Sequence, residues 1–427
     1  MLHVDKVDSL QTEKVHISAS GLEKVQCYKF YLKFHYFAGA YHSYCVVQSD
    51  ENGNIDLARD KPIRGTYHEI DPMGLFLTLQ PSQEVRFGHN AGNNKAKPFY
   101  YTLQLISNSG IVLDQKNLRK LWIHPRVTPI EVAQNSIHGV IFKPPGPGPF
   151  PCISDVPGIN GGQSYGRAAL FSAEGYLVYT LASFGYKDLP KKMEDVDLEV
   201  FSKHVKFVQS LPYCSEKIGL YGMSFGGTIA NYLATKHPEI SAIAITNVPE
   251  AFYRDLAVMK ENGNPMECEK IDKDLEVWIN RVKRQTPSFL DLFSRLRPDT
   301  SIKWERISKD IPFRIVASLD DWLLCGVTNC KRIQENLVIT GHKVEIQLVP
   351  GGHVMYAPYL PHVSVGYNKY HKFYLGYGGE CSLETKSMIN VWEKTLKFFE
   401  KHLGSPAKLP DYKREIEIVL PSRESKL

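Results

Sequence analysis

The sequence contains no pair of cysteines at the C-x-x-C spacing, although it has eight cysteines. Cys325 and Cys330 lie closest together, and they have no nearby histidine at the spacing of a zinc finger. This pattern argues against a disulfide framework and against a structural metal site. We therefore expect reduced thiols that mostly fill the core, with no metal ion and no cofactor.

The chain also lacks any run of about 20 apolar residues, the length that crosses a membrane as a helix. Its first six residues, Met1 to Lys6, carry an acid where a signal peptide would carry an apolar run. Neither sign of charge is in large excess, because the sequence has 51 Lys and Arg residues and 46 Asp and Glu residues. We expect a soluble protein that is not secreted, with no membrane span and no nucleic-acid partner.

The 427 residues exceed what one hydrophobic core normally supports, so two domains are expected. From Val15 to about Trp122 the apolar residues recur with period two, which is typical of half-buried strands. The clearest alternating set is Tyr28, Phe30, Leu32, Phe34 and Tyr36. Further strands are predicted at Tyr41–Val47, which leads into an Asn52-Gly53 hairpin, and at Gly74–Leu79 and Tyr100–Leu105. Residues 1–124 are therefore predicted to form an immunoglobulin-like antiparallel β-sandwich.

The pattern changes after Pro125 and Pro129. Apolar strands such as Ile218–Tyr221, Ala242–Ile245 and Phe313–Val316 now alternate with segments of helical period, which indicates a parallel sheet wrapped by helices. The last such segment is a helix whose apolar stripe is Met388, Trp392, Leu396, Phe399 and Leu403. The proline-rich stretch Pro144–Pro149 is expected to be a surface turn between the first two strands of this part. We predict a domain over residues 125–420 and a short tail over residues 421–427.

Gly222-Met223-Ser224-Phe225-Gly226 follows an apolar strand directly and precedes a helical segment from Thr228 to Lys236. This is the context of the G-x-S-x-G nucleophile elbow, so residues 125–420 are predicted to form an α/β-hydrolase catalytic domain. Small residues on both sides permit a sharp turn that exposes the serine hydroxyl, and the helix N-terminus directs N–H groups towards a developing oxyanion. Ser224 is thus the predicted nucleophile, and the alternative is a buried serine at a tight turn.

An acid and a histidine should follow the serine in that order. Asp320 and Asp321 come directly after the predicted strand Phe313–Leu319, at the strand end where sites in open α/β sheets collect. His353 follows the strand Val344–Val349 in a Pro-Gly-Gly-His turn. We predict His353 as the base and Asp321, in preference to Asp320, as its partner. The alternatives are a loop-capping histidine and a turn-capping aspartate.

The oxyanion donors of this fold are the backbone N–H after the nucleophile and an N–H from the loop after an earlier strand. Those positions correspond to Phe225 and to Gly158 or Ile159, in the glycine-rich segment 155–162. The alternative for the second position is a loop in which the glycines only relieve turn strain.

These motifs together resemble the family of acyl-CoA thioesterases that also contains bile acid-CoA:amino acid N-acyltransferase. The likeness extends over nearly the whole chain. It is carried by the segments Arg64–Tyr67, Asp71–Leu75, Pro144–Pro151, the glycine-rich run through Gly162, Tyr186–Pro190, the elbow, His353 and Pro358–Pro361, all in the family's order. The resemblance implies an acyl-CoA substrate, an acyl-enzyme on Ser224 and CoA as the leaving group, with His353 and Asp321 completing the triad.

Family members with a cysteine nucleophile transfer acyl groups to glycine or taurine, whereas Ser224 resembles the hydrolytic branch. We therefore expect a thioesterase, and two alternatives stay open: an acyl-CoA:amino acid N-acyltransferase and a catalytically silent acyl-CoA binder. The sequence ends in Ser425-Lys426-Leu427, the tripeptide that peroxisomal import receptors read at a free C-terminus. A peroxisomal location and an import-receptor partner are therefore also expected.

Overall fold

The computed structural model describes residues 1–92, 95–134, 136–253, 258–268, 276–285, 302–368 and 372–421. The described helices are α1 Gly74–Leu77, α2 Gly166–Ala173, α3 Glu199–Gln209, α4 Phe225–Ala234, α5 Gly326–Ile339 and α6 Cys381–Leu403, with 3₁₀ turns at Met193–Asp195 and Trp304–Arg306. The described strands are β1 Leu2–Val4, β2 Asp8–Leu10, β3 Ile17–Ala19, β4 Cys27–Tyr36, β5 Gly39–Gln48, β6 Ile55–Asp56, β7 Arg64–Gly65, β8 Gln80–Pro81, β9 Phe99–Ile106, β10 Val112–Leu121, β11 Thr128–Gln134, β12 Ile137–Lys143, β13 Phe150–Val156, β14 Leu177–Ala182, β15 Cys214–Met223, β16 Ile240–Thr246, β17 Lys260–Glu261, β18 Asn264–Pro265, β19 Glu276–Ile279, β20 Val282–Gln285, β21 Phe313–Ser318, β22 Val344–Val349, β23 Val365–Asn368 and β24 Phe373–Gly376.

The N-terminal part is built from two sheets, as the period-two pattern predicts. One sheet has the order β1-β3-β6, and the other has the order β2-β10-β9-β4-β5-β7 with β8 paired to β5. In β4 the residues Tyr28, Phe30, Leu32 and Phe34 are buried and alternate with less buried neighbours. All pairings in the two sheets are antiparallel except that of β2 with β10. The predicted antiparallel sandwich is confirmed, with one parallel edge strand.

The Asn52-Gly53 turn forms, but the hairpin predicted there is wrong. The Asp50 carboxylate accepts hydrogen bonds from the backbone N–H groups of Asn52 and Asn54, both at 2.8 Å. The chain then enters β6, which pairs with β3 in the other sheet, while β5 forms its hairpin with β4. A Cβ on Gly53 would lie 2.1 Å from the Leu22 carbonyl oxygen, so glycine permits this crossing between the sheets.

The segment Gly74–Leu79, predicted as a strand, begins with the short helix α1 instead. All four helical residues are buried, so their apolar run has no polar alternation that could separate strand from helix. The turn is favoured locally because the Asp71 carboxylate accepts from the Met73 N–H at 2.9 Å and the Asp71 carbonyl accepts from the Gly74 N–H at 3.0 Å. The prediction of a strand was wrong because a short, fully buried segment has the same apolar sequence pattern whether it forms a strand or a helix.

The second part contains an eight-stranded sheet of order β11-β12-β14-β13-β15-β16-β21-β22. Its first two pairings are antiparallel, and all the others, from β14 to β22, are parallel. The strands predicted at 218–221, 242–245 and 313–316 lie within β15, β16 and β21, which are neighbours in the parallel part of the sheet. The mixed sheet with an antiparallel start and helices between its parallel strands is the predicted α/β-hydrolase architecture.

The turn at Pro144–Pro149 lies between β12 and β13, as a surface connection. Because β11 precedes both strands, this turn joins the second and third strands of the sheet in chain order, not the first two. Helix α6 covers the sheet with Met388, Trp392, Phe399 and Leu403 buried. It ends at Gly404, whose φ of 101° is a conformation that favours glycine. The predicted C-terminal helix is confirmed.

One hydrophobic cluster extends from the N-terminal sheets into the second part, and its contacts reach the chain just beyond His353. The Gln11 side-chain amide donates to the carbonyls of Pro358 and Tyr359 at 3.0 and 3.1 Å. The rings of Trp122 and Tyr356 lie 6.3 Å apart. The division at residue 124 stays a prediction, as does the tail over 421–427, which apart from its first residue lies outside the described residues. Among the helices described above, none combines the length and the apolar character needed to cross a membrane.

Candidate active site

Ser224 lies at the turn between β15 and α4, with φ of 55° and ψ of −134°. A residue other than glycine with positive φ costs on the order of 1–3 kcal/mol, and such strain persists only where the surroundings hold it. Here the Ser224 N–H donates to the Thr246 carbonyl at 2.9 Å, and the Gly227 N–H donates to the Ser224 carbonyl at 2.9 Å. The turn therefore presents the partly exposed hydroxyl at the C-terminal edge of the parallel strands.

The glycines around Ser224 are required by close backbone approaches. A Cβ on Gly222 would lie 2.6 Å from both the Gly226 carbonyl carbon and the Gly227 Cα. A Cβ on Gly226 would lie 2.5 Å from the Val156 carbonyl oxygen, at the end of β13. Contacts below 3.0 Å cannot be accommodated by rigid backbone, so these glycines let α4 pack directly beneath the loop after β13.

The structure brings His353 and Asp321 to Ser224. The Ser224 Oγ lies 2.9 Å from His353 Nε2, and His353 Nδ1 lies 2.9 Å from Asp321 Oδ2. Both the imidazole and the carboxylate are almost fully buried, with side-chain exposures of 5% and 1%. A carboxylate on Nδ1 favours the tautomer with its proton there, which leaves Nε2 to accept the hydroxyl proton. The arrangement can therefore move a proton from Ser224 to His353.

The two adjacent carboxylates point in different directions. Asp321 accepts with Oδ1 from the N–H groups of Leu323 and Leu324, both at 2.9 Å, and this fixes Oδ2 towards His353. Asp320 accepts from the Trp322 indole N–H at 2.7 Å and from the Gly379 N–H at 3.0 Å. Asp320 is exposed and its described contacts do not include His353. The geometry therefore favours Asp321 over Asp320 as the partner of the histidine.

The three residues predicted as oxyanion donors lie in two places. Phe225 is the first residue of α4, so its N–H has no acceptor within the helix. Gly158 lies against the elbow, since a Cβ built on it would be 3.8 Å from the Met223 carbonyl oxygen. Ile159 is partly buried, and its side chain packs against a hydrophobic cluster that includes Val156 and Phe225. Their roles as donors stay predictions.

A buried ion pair supports the loop after β13 and was not predicted. Arg167 on α2 donates to Asp155 Oδ1 through Nε at 2.9 Å and through an Nη at 2.5 Å, and reaches the Val156 carbonyl at 3.4 Å. Burial raises the pKa of the Asp155 carboxyl above its ordinary value, and the adjacent Arg167 offsets part of this increase. The position of Asp155 at the end of an apolar strand was the available sequence signal, but its partner could not be identified from it.

The loop that carries His353 is held by two further residues that were missed. The buried Glu384 carboxylate accepts from the Gly352 N–H at 2.6 Å and pairs with His362 Nδ1 at 2.8 Å. The Tyr377 carbonyl accepts from the His353 N–H at 2.7 Å, and the Tyr377 ring stacks on the imidazole with centroids 6.0 Å apart. Burial raises the pKa of Tyr377 to about 12. Nothing in the local sequence of Glu384 distinguishes it from other acids in the first turn of a helix.

Within the described parts of the chain, no group of three or more His, Cys, Asp or Glu side chains is arranged to hold a metal ion. No disulfide bond links any of the eight cysteines, all of which lie among the described residues.

The fold places this chain in the class of α/β-hydrolases. Family profiles match two segments of the chain. Residues 196–405 match the profile described as "BAAT / Acyl-CoA thioester hydrolase C terminal". Residues 12–134 match the profile described as "Acyl-CoA thioester hydrolase/BAAT N-terminal region". The chain belongs to the family of acyl-CoA thioester hydrolases and bile acid-CoA:amino acid N-acyltransferases, as the sequence motifs predicted.

Individual relatives agree with this assignment. Acyl-coenzyme A thioesterase 1 of Mus musculus is 27% identical over 375 residues, which span 86% of this chain and 87% of that protein. Peroxisomal succinyl-coenzyme A thioesterase of the mouse is 26% identical over 381 residues, spanning 86% of this chain and 87% of the relative. Bile acid-CoA:amino acid N-acyltransferase of the mouse is 27% identical over 423 residues, spanning 96% of this chain and 98% of the relative.

Among solved structures, an acylaminoacyl peptidase from Pyrococcus horikoshii aligns with a TM-score of 0.42 at 13% identity, covering 94% of this chain and 61% of the other.

Proposed function

We propose that this protein hydrolyses fatty acyl-CoA thioesters to a free fatty acid and CoA through an acyl-enzyme on Ser224. The observation that supports this most is the continuous hydrogen-bonded series from Ser224 through His353 to Asp321, with 2.9 Å at both contacts. Such a series activates a hydroxyl that is otherwise a weak nucleophile. Relatives named as acyl-coenzyme A thioesterases support the choice of substrate.

In the first half-reaction Ser224 Oγ attacks the thioester carbonyl carbon, and its proton passes to His353 Nε2. The tetrahedral intermediate then collapses, the bond between carbon and sulfur breaks, and CoA leaves with the proton from His353. Asp321 keeps the imidazole in the required tautomer and stabilises its positive charge. An acyl ester on Ser224 results.

In the second half-reaction water attacks the acyl ester while His353 takes a proton from it. Collapse of the second intermediate returns that proton to Ser224 Oγ and releases the free acid. Both intermediates place negative charge on the former carbonyl oxygen, where the N–H of Phe225 and an N–H of Gly158 or Ile159 would donate. One such donor contributes about 3 kcal/mol to stabilising the transition state.

Acyl transfer to an amino acid is the second candidate function, since a relative named as an N-acyltransferase matches 96% of this chain. The two reactions share the acyl-enzyme and differ only in whether water or an amine attacks it. A serine ester is less reactive towards amines than a cysteine thioester, so Ser224 favours hydrolysis.

Replacement of Ser224 by cysteine tests this argument. We expect Ser224→Cys to deacylate more slowly in water and to pass a larger share of the acyl group to added glycine or taurine than wild type does. Mass spectrometry at fixed acyl-CoA would compare free acid with N-acyl amino acid. An unchanged product ratio would show that the nucleophile does not decide between the two reactions.

We also propose import into peroxisomes through the terminal Ser425-Lys426-Leu427, which lies outside the described residues. The name of one relative, peroxisomal succinyl-coenzyme A thioesterase, supports this location. Removal of Leu427 should leave an N-terminally tagged protein in the cytosol, because the receptor reads the complete tripeptide at the free C-terminus. Fluorescence microscopy measures the location, and unchanged activity in lysates is the control. Peroxisomal fluorescence that survives the deletion would refute the proposal.

A further inference from the structure

Asn247 lies at the C-terminal end of β16, at the same edge of the sheet as Ser224 and Asp321. Its side chain is completely buried, and its φ of 49° falls in the left-handed region. The Asn247 N–H donates to the Val316 carbonyl at 2.9 Å, which fixes the backbone against β21. A non-glycine residue in this conformation at this depth indicates that the surroundings determine its position.

The Asn247 amide connects two segments that carry site residues. Its Oδ1 accepts from the Ser318 N–H at 2.7 Å, and its Nδ2 lies 2.9 Å from Ser318 Oγ, at the last residue of β21. The same Nδ2 donates to the carbonyls of Gly352 and His353 at 3.1 and 2.9 Å. One amide group therefore contacts the strand that leads to Asp321 and the loop that carries His353.

The position of these contacts matters because the sheet register ends there. The last paired residues of β21 and β22 are Ser318 and Val349, and the chain beyond them is irregular. Two backbone hydrogen bonds still connect the segments beyond this point. The Leu319 N–H donates to the Val349 carbonyl at 2.9 Å, and the Asp320 N–H donates to the Gly351 carbonyl at 3.0 Å. Asn247 holds the two segments from the side of the neighbouring strand β16. Loss of its amide would leave two buried carbonyls without that donor.

We propose that Asn247 is a positioning residue, which keeps His353 at hydrogen-bond distance from both Ser224 and Asp321. It does not contact the reacting atoms; it acts through the backbone of the histidine loop and the end of β21. A displacement of about 1 Å in such a group can lower a rate about 100-fold. This proposal rests on the proposed role of Ser224 and His353, and extends it to a residue outside the predicted set.

Asn247→Gly tests the proposal because glycine adopts positive φ without strain, so the substitution removes the amide and keeps the backbone conformation. We expect kcat for acyl-CoA hydrolysis to fall about 100-fold with KM little changed. The rate at which a fluorophosphonate probe labels Ser224 should fall in parallel, since labelling also needs the serine activated by His353. If Asn247→Gly does not fold, Asn247→Asp replaces it, because it fills the same volume but lacks the donors to both carbonyls. The same result is expected of it.

Asn329→Ala is the matched control. Asn329 on α5 is also fully buried; its Oδ1 accepts from the Glu250 N–H at 2.9 Å and its Nδ2 donates to the Cys325 carbonyl at 3.1 Å. Its loss should lower the unfolding temperature and leave the labelling rate of the folded protein unchanged. An Asn247 variant that labels at the wild-type rate, or that loses labelling only in proportion to its unfolded fraction, would overturn the proposal.

The probe also separates this proposal from the proposed function. If wild type does not hydrolyse acyl-CoA but labels at Ser224, the function is wrong, and the labelling rate of Asn247→Gly still tests the positioning role. If wild type hydrolyses acyl-CoA and Asn247→Gly does so equally fast, only the positioning role is wrong. If Ser224 does not react with the probe at all, both are overturned.

Discussion

Ser224→Ala is expected to lower kcat for acyl-CoA hydrolysis at least about 10⁴-fold, because loss of the nucleophile disables the whole series of proton-transfer groups rather than one share of it. The fold should be retained. Alanine is no more strained than serine at the φ of 55°, and the backbone hydrogen bonds of the elbow do not involve the hydroxyl. Release of free thiol from acyl-CoA measures the rate, and circular dichroism measures the fold.

Ser172→Ala provides a matched control for that measurement. Ser172 on α2 is fully buried, and its hydroxyl donates to the Ala169 carbonyl at 2.7 Å, away from the candidate site. This variant should keep the wild-type kcat even if it loses some stability. Hydrolysis by Ser224→Ala at a rate close to wild type would show that the acyl group does not pass through this serine.

Asp321→Asn is expected to lower kcat about 10⁴-fold. An asparagine that presents its NH₂ group to His353 Nδ1 stabilises the wrong tautomer, which leaves Nε2 protonated and unable to accept the proton of Ser224. Asp320→Asn should lower kcat only slightly, because Asp320 contacts Trp322 and Gly379 rather than the histidine. Thiol release at saturating acyl-CoA compares the two variants.

The adjacent aspartates are controls for one another, since both follow the same strand and both accept backbone hydrogen bonds. A large loss in Asp320→Asn with a mild one in Asp321→Asn would transfer the role to Asp320. Equal losses in both would indicate that the loop after β21 had been disrupted as a whole.

The sequence predicts the two halves of the fold because their signals are local. The alternation of apolar and polar residues in β4 and the apolar stripe of α6 each indicate an element with one buried face, and the structure confirms both. The apolar pattern of the sequence gives a wrong prediction where a segment is buried on all sides, or where a strand pairs with a strand distant in the sequence. The run that begins at Gly74 is buried on all sides and forms a helix, and the strand after Asn52-Gly53 pairs in the other sheet.

The elbow, the histidine turn and the adjacent aspartates could be found because each has a fixed position relative to a strand. The residues that support them could not. Asn247 contacts residues 71 and 106 positions away, and Glu384 contacts Gly352 from 32 positions away. A buried side chain that binds backbone groups so distant in the sequence has no local pattern, because its partners are determined by the packing of whole strands and helices.

The central claim is that water, and not an amine, takes the acyl group from the enzyme. Product analysis by mass spectrometry tests it most directly, with wild-type protein, a fatty acyl-CoA and glycine or taurine at modest concentration. Free fatty acid should be the main product, in an amount equal to the thiol released and independent of the added amine. Formation of mainly N-acyl amino acid under these conditions would contradict the account, and the acyltransferase function would take its place.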